Sequence, residues 1–219
     1  MRMGADERRS TPMARMIVMI SAVVVIVGLG AYGLATVSEG GEATHPRAPV
    51  FEHVHALAFD ATGRSLWLGA HTGLYRSEDG GQTWTKAALP LRPDALDVMA
   101  VTPDPRDAGT LYIGTHEAGV LKSTDGGRNW SEVNDGLRGR DVHGLAIDPN
   151  SPVKLHALVR DKGEGVYRTT NGGQKWARVD DGPGGETKSL TSVNLATGMG
   201  GIYLYAGTAE GLQRNPDCF

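Results

Sequence analysis

The sequence predicts an all-β chain: a β-propeller of four-stranded antiparallel blades, three complete and a fourth partial, preceded by one N-terminal transmembrane helix. Three observations predict it. An eight-residue stretch occurs three times, as Ser77-Glu-Asp79-Gly80-Gly81-Gln-Thr83-Trp84, Ser123-Thr-Asp125-Gly126-Gly127-Arg-Asn129-Trp130 and Thr169-Thr-Asn171-Gly172-Gly173-Gln-Lys-Trp176. Its tryptophans, Trp84, Trp130 and Trp176, each stand 46 residues from the next, a fixed period of the kind that marks solenoids and propellers. Short apolar segments broken by turn residues run between the copies, and an uncharged run of 22 residues, Met16 to Val37, stands before them all.

The uncharged run is long enough to cross about 30 Å of hydrocarbon as a helix. Arg2, Arg8, Arg9 and Arg15 precede it, whereas Glu39, Glu42 and Arg47 follow it. The positive-inside rule therefore puts residues 1–15 in the cytoplasm, 16–37 in the membrane and the repeats outside. That is the topology of a single-pass protein of a bacterial inner membrane with its repeats in the periplasm or extracellular space. A cleaved signal peptide, with Ala31-Tyr-Gly33 or Gly33-Leu-Ala35 as small-residue sites, delivers the same topology. Residues 38–50, with Glu-Gly-Gly-Glu and two prolines, read as a linker, and 51–219 as the repeat domain.

Each repeat reads as four strands joined by tight turns. The first runs Val54-His-Ala-Leu-Ala-Phe59, a segment suited to a buried inner strand, then Ser65 to Gly69, Gly73 to Ser77, and a short strand after Trp84. The second runs from Asp97 to Thr102, Thr110 to Gly114, Gly119 to Ser123, and onward from Trp130. The third runs from Asp141 to Ile147, Lys154 to Leu158, Gly165 to Thr169, and onward from Trp176. The fourth gives Leu190 to Leu195, Ile202 to Gly207 and Gly211 to Arg214, after which Asn215-Pro-Asp217 reads as the start of a fourth copy of the repeated stretch. With the outer strand of the fourth repeat missing, the ring either closes with residues 47–54 supplying that strand or stays an open arc. An open arc leaves sheet edges that a partner or a second copy would cover.

The repeated stretch has its own physical logic. Asp or Asn and Ser or Thr bond backbone groups a residue or two on, Gly-Gly supplies the positive φ of a tight turn, and the Trp anchors the next strand. It resembles the Asp box, Ser/Thr-x-Asp-x-Gly-x-Thr-Trp, of sialidase- and sortilin-type propellers, also called the BNR repeat. Bacterial photosystem II assembly-factor-like proteins carry the same box. The first copy matches every motif position, the second has Asn129 where Thr is usual, and the third departs at Thr169, Asn171 and Lys175. The resemblance implies structural turn roles for Ser77, Asp79, Gly81 and Trp84, for Ser123, Asp125, Gly127 and Trp130, and for Thr169, Asn171, Gly173 and Trp176. In propellers of this kind those turns lie away from the face that binds ligands.

The opposite face would then gather the loops that lead into each inner strand and those joining the second strand to the third. His55, Met99 and His143 hold matching places in three repeats, as do His71 and His116. Imidazole with thioether suits a copper-type ion and imidazole with carboxylate a zinc-type one, so these five are the candidate metal ligands. Without such an ion no cofactor is expected. His53, Glu117, Arg138, Arg140, Arg160, Asp161 and Lys162 are the candidate partner-contact residues on the same face.

Composition narrows the functional classes. A net charge of −3 with 21% charged residues describes an ordinary soluble surface, and no basic cluster with interleaved aromatics points to nucleic acid. The single cysteine, Cys218, makes no intrachain disulfide. The Arg-Ile-Pro opening motif of sialidases, a Gly-x-Ser-x-Gly elbow and a phosphate-binding loop are all missing. Glu117, Asp141, Asp161 and Glu164 are the carboxylates that a glycosidase would have to pair across the scissile bond. The expectation is a non-catalytic, protein-binding accessory or assembly subunit of a membrane complex. A copper-type metal-binding propeller is the second reading and a degenerate glycosidase the third.

Overall fold

The computed structural model describes residues 51–180, 187–194 and 201–217, all within the unit His45–Phe219. The expected anchor at 16–37 and linker at 38–50 lie outside the described residues. Among the described residues no helix is long and apolar enough to cross a membrane.

Four antiparallel sheets follow one another along the chain, each a meander of consecutive strands. Blade 1 is β1 (Val54–Phe59), β2 (Leu66–Ala70), β3 (Gly73–Ser77) and β4 (Thr85–Lys86). Blade 2 is β5 (Val98–Pro103), β6 (Leu111–Thr115), β7 (Val120–Ser123) and β8 (Ser131–Glu132). Blade 3 is β9 (Val142–Ile147), β10 (Leu155–Val159), β11 (Gly165–Thr169) and β12 (Ala177–Asp180). Blade 4 has three described strands, β13 (Thr187–Asn194), β14 (Ile202–Thr208) and β15 (Gly211–Asp217). This is the four-bladed antiparallel architecture that the repeat period predicts.

The Asp boxes form the β3–β4, β7–β8 and β11–β12 turns. In the first, the Ser77 hydroxyl donates to Asp79 Oδ1 at 2.7 Å and accepts from Gly81 N at 2.8 Å, while Asp79 Oδ1 accepts from Gln82 N and Thr83 N. The second repeats the pattern through Ser123 and Asp125. These donors hold both carboxyls at about 2; the Thr83 hydroxyl contributes most for Asp79 and the Asn129 backbone N–H most for Asp125. The third copy keeps the Thr169–Asn171 bond and the Lys175 N–H to Asn171 Oδ1, but Lys175 has no hydroxyl or amide to add. Its tryptophan also turns differently. Trp84 and Trp130 donate to Gly81 O and Gly127 O of their own boxes, whereas Trp176 is buried and donates to Val133 O of blade 2.

Two features differ from the reading of the sequence. Blade 4 does not begin a fourth box at Asn215-Pro-Asp217: β15 continues through Asp217, which pairs with Ile202, so the strand runs on where the other blades turn. Nor is β1 the buried inner strand that its residues suggest. Val54 is 51% exposed where the matching Val98 and Val142 are 0%, and Leu57 is 59% exposed where Leu145 is 4%. The reason lies in what stands before each blade. β1 packs on β5, β5 on β9 and β9 on β13, and Gly69 of β2 comes so close to blade 2 that a Cβ there would sit 2.8 Å from Val98 O. Among the described residues no strand of blade 4 packs on β1 in the same way. The described arc is open, and its first face is uncovered.

Candidate functional site

The inner strands β1, β5, β9 and β13 line a channel of about 510 Å³, and His55, Met99 and His143 are in its wall. Their placement has a backbone cause. In every blade the inner strand slips one residue against its neighbour: Val54 pairs with Ala70 and Ala56 with Gly69, so His55 is skipped. Met99 is skipped between Val98 and Ala100, His143 between Val142 and Gly144, and Lys188 between Thr187 and Ser189. These are β-bulges, which re-aim the bulged side chain relative to a regular strand. In the first three blades the bulged residue, His55, Met99 or His143, lines the channel. The bulges lie at the end opposite the Asp boxes, since Leu66 at the start of β2 pairs with Ser77 and Ala70 at its end pairs with Gly73.

A second layer is set by loops. His71 N donates to His53 O, His116 N to Asp97 O and Arg160 N to Asp141 O. Each loop joining a blade's second and third strands is therefore tied to the residue leading into that blade's inner strand. The loop side chain then reaches across to the next blade. His71 Nδ1 lies 3.0 Å from Asp97 Oδ2, and His116 Nδ1 lies 2.9 Å from Asp141 Oδ1. At the junction of blades 1 and 2, His55 Nε2 adds a third group 3.2 Å from Asp97 Oδ1. At the junction of blades 2 and 3, His143 Nε2 lies 2.9 Å from Asp141 Oδ1. At the next loop along, Arg160 takes the place of the histidine and pairs with Glu164 at 2.7 Å.

His71 and His116 are half exposed, while Asp97 and Asp141 are largely covered. Burial pushes His55 below the ordinary imidazole value, outweighing the pull of Asp97, and the nearby His71, His53 and His143 act in the same downward direction. Asp97 Oδ1 is buried and has no hydrogen-bond donor among the described residues, although His55 Nε2 lies 3.2 Å away. The His53 ring lies 5.3 Å from that of His71 at a tilt of 46°, and His53 holds a left-handed φ of 46°, which costs a non-glycine residue about 1 kcal/mol or more.

Four of the five expected metal ligands are thus brought into two groups, His55 with His71 and His116 with His143, and the fifth, Met99, lines the same channel as His55 and His143. Asp97 is the site residue that the sequence reading passed over. Its signal was present: Asp97-Val98 and Asp141-Val142 stand in the same place before the bulges of two blades. Several of the expected partner-contact residues lie near one another, with Gly139 against Asp161 and Lys162 and Gly163 against Arg138. Asp161 is a strut: burial raises its pKa, yet the backbone N–H groups of Arg140 and Asp141 (3.1 and 3.2 Å) outweigh that and hold it low. Arg140 and Glu117 line a separate recess of about 260 Å³ with Arg92. Arg138 and Lys162 are exposed.

The family model described as Photosynthesis system II assembly factor YCF48 matches residues 45–217. No curated protein matches the chain. Among solved structures, the chain is similar to YCF48 bound to D1 peptide, at 21% identity and TM-score 0.54, covering 77% of this chain and 56% of that one. It is also similar to a GH74 enzyme of Niastella koreensis, at 23% identity and TM-score 0.54, covering 72% of this chain and 26% of that one. A GH74 xyloglucanase of Xanthomonas campestris gives 22% identity and TM-score 0.52, over 70% and 27% of the two chains. At these identities the likeness shows the propeller fold alone. The chain spans about a quarter of the length of the GH74 chains and a little over half of the YCF48 chain.

Proposed function

The chain belongs to the Photosynthesis system II assembly factor YCF48 family, and from that premise we propose that it is a protein-binding accessory that assists the assembly or stability of a membrane complex. The observation that carries this reading is the reach of the family match, which takes in all four blades. The YCF48 structure has a D1 peptide bound, and by analogy this chain would receive an exposed segment of a partner polypeptide. The histidine end, with its loops, and the uncovered face of β1 are the surfaces open to such a segment.

Residues 16–37 would hold the protein in a bacterial cytoplasmic membrane, with the N-terminus inside and the blades outside, next to a membrane-embedded partner. The family favours binding over catalysis. The carboxylates at the histidine end are consistent with that preference, because Asp97 and Asp141 are each engaged by two imidazoles.

The test is the native mass of the protein extracted from its own membranes in mild detergent, with co-purifying subunits identified. Migration within a stoichiometric complex is expected. A free monomer or a small homo-oligomer would overturn the reading.

A further inference from the structure

We infer that each of the first two blade junctions is a mononuclear site for a zinc-type divalent cation, held by His55, His71 and Asp97 at the first and by His116, Asp141 and His143 at the second. The ligand atoms of each group lie within 4.8 Å of one another. The imidazole-to-carboxylate distances, 2.9 to 3.2 Å, approach the edge of about 3.3 Å expected between ligands of a tetrahedral ion with bonds of about 2.0 Å. Two imidazoles and a carboxylate are borderline donors of the kind zinc takes, and three protein ligands leave one position for water.

The alternative is a pair of plain histidine–aspartate contacts, and two observations count against it. The Asp97 Oδ1 atom is buried without a hydrogen-bond donor although His55 Nε2 is 3.2 Å away. An ion between them satisfies both atoms. Finally, the arrangement occurs twice, built each time from a loop histidine of one blade and the carboxylate leading into the next. The second histidine comes from different blades: His55 from the first blade of its junction, His143 from the second blade of its junction. Met99 holds the corresponding bulge position of the middle blade. The proposed ligands are imidazoles and carboxylates without a thioether, and on that donor set the ion assigned is zinc rather than copper.

The experiment uses the full chain in detergent, stripped with chelator and dialysed against zinc, with bound metal measured per chain. Cobalt replacing zinc reports coordination through its visible absorption bands. Two equivalents are expected for the natural sequence. One should remain in the pair variant His71→Gln with Asp97→Asn, one in His116→Gln with Asp141→Asn, and none when all four changes are combined. Cooperative unfolding of the metal-free variants checks the fold. The single changes His71→Gln and His116→Gln, at half-exposed loop positions, give the same readout if the pair variants fold poorly. No stoichiometric zinc on the natural sequence, or two equivalents retained by the combined variant, would overturn the proposal. Preferential copper binding that falls with Met99→Leu would overturn the assignment to zinc.

Discussion

Blade 1 and the two blades after it carry nearly the same inner strand and treat it differently. Val54, Leu57 and Phe59 of β1 are more than half exposed, whereas Val98 and Val142 are buried and Leu145 nearly so. In blades 2 and 3 the inner strand is covered by the blade before it, as Gly69 covers Val98 and Val101, and Gly114 covers Val142. Blade 1 has no such cover among the described residues. An apolar strand is buried by what packs on it, so the same residues stabilise the fold at one position and little at another.

Leucine truncation tests this difference with the largest expected effect. Leu145→Ala should cost about 2–5 kcal/mol through lost burial and the cavity left behind. Leu57→Ala, at the matching position of β1, should cost well under about 1 kcal/mol. Equilibrium urea unfolding reads both. Equal losses would mean that β1 is covered in solution.

Glycine substitution in the Asp boxes comes next. Gly81 and Gly127 both have positive φ, 92° and 81°, so either change to Ala carries backbone strain of about 1 kcal/mol. Their surroundings differ as the blades do. A Cβ on Gly127 would lie 2.4 Å from the Trp67 ring of the preceding blade, while the nearest atom to one on Gly81 is 3.6 Å away in its own Trp84. Gly127→Ala should therefore exceed Gly81→Ala by about 1–3 kcal/mol, the usual cost of overpacking. A matched loss of thermal stability in the two variants would break the comparison.

The smallest effect separates the first two boxes from the third. Asp79 and Asp125 sit at about 2, below their ordinary 3.8, because hydrogen-bond donors converge on them. A carboxyl held low in the folded state stabilises the fold above its unfolded value and loses that contribution as pH falls through the folded one. Stability should thus decline from about pH 4 toward pH 2, and the Asp79→Asn, Asp125→Asn variant should show a flatter profile across that window. The third box already has Asn171 and contributes nothing to the slope. An unchanged profile in the double variant would show that other acids govern the decline.

The blade pattern was legible in the sequence because its causes are local. Ser77 to Trp84 contains every group its turn uses, and the alternation of apolar and turn residues fixes each meander. The candidate site was half legible: the histidines stood out by their matching places, but the aspartate that joins them did not. His71 and Asp97 are 26 residues apart and meet only because one blade stacks on the next. The altered partner of Trp176 escaped for the same reason, since Val133 belongs to the neighbouring blade.

The sequence by itself determined the number and make-up of the blades and the end of each blade that carries histidine, because these follow from turn chemistry and strand pairing within about 46 residues. The tertiary structure decided which apolar faces are covered, where the arc opens and which carboxylate each histidine meets. Those outcomes depend on how one sheet lies against another, which no single repeat encodes.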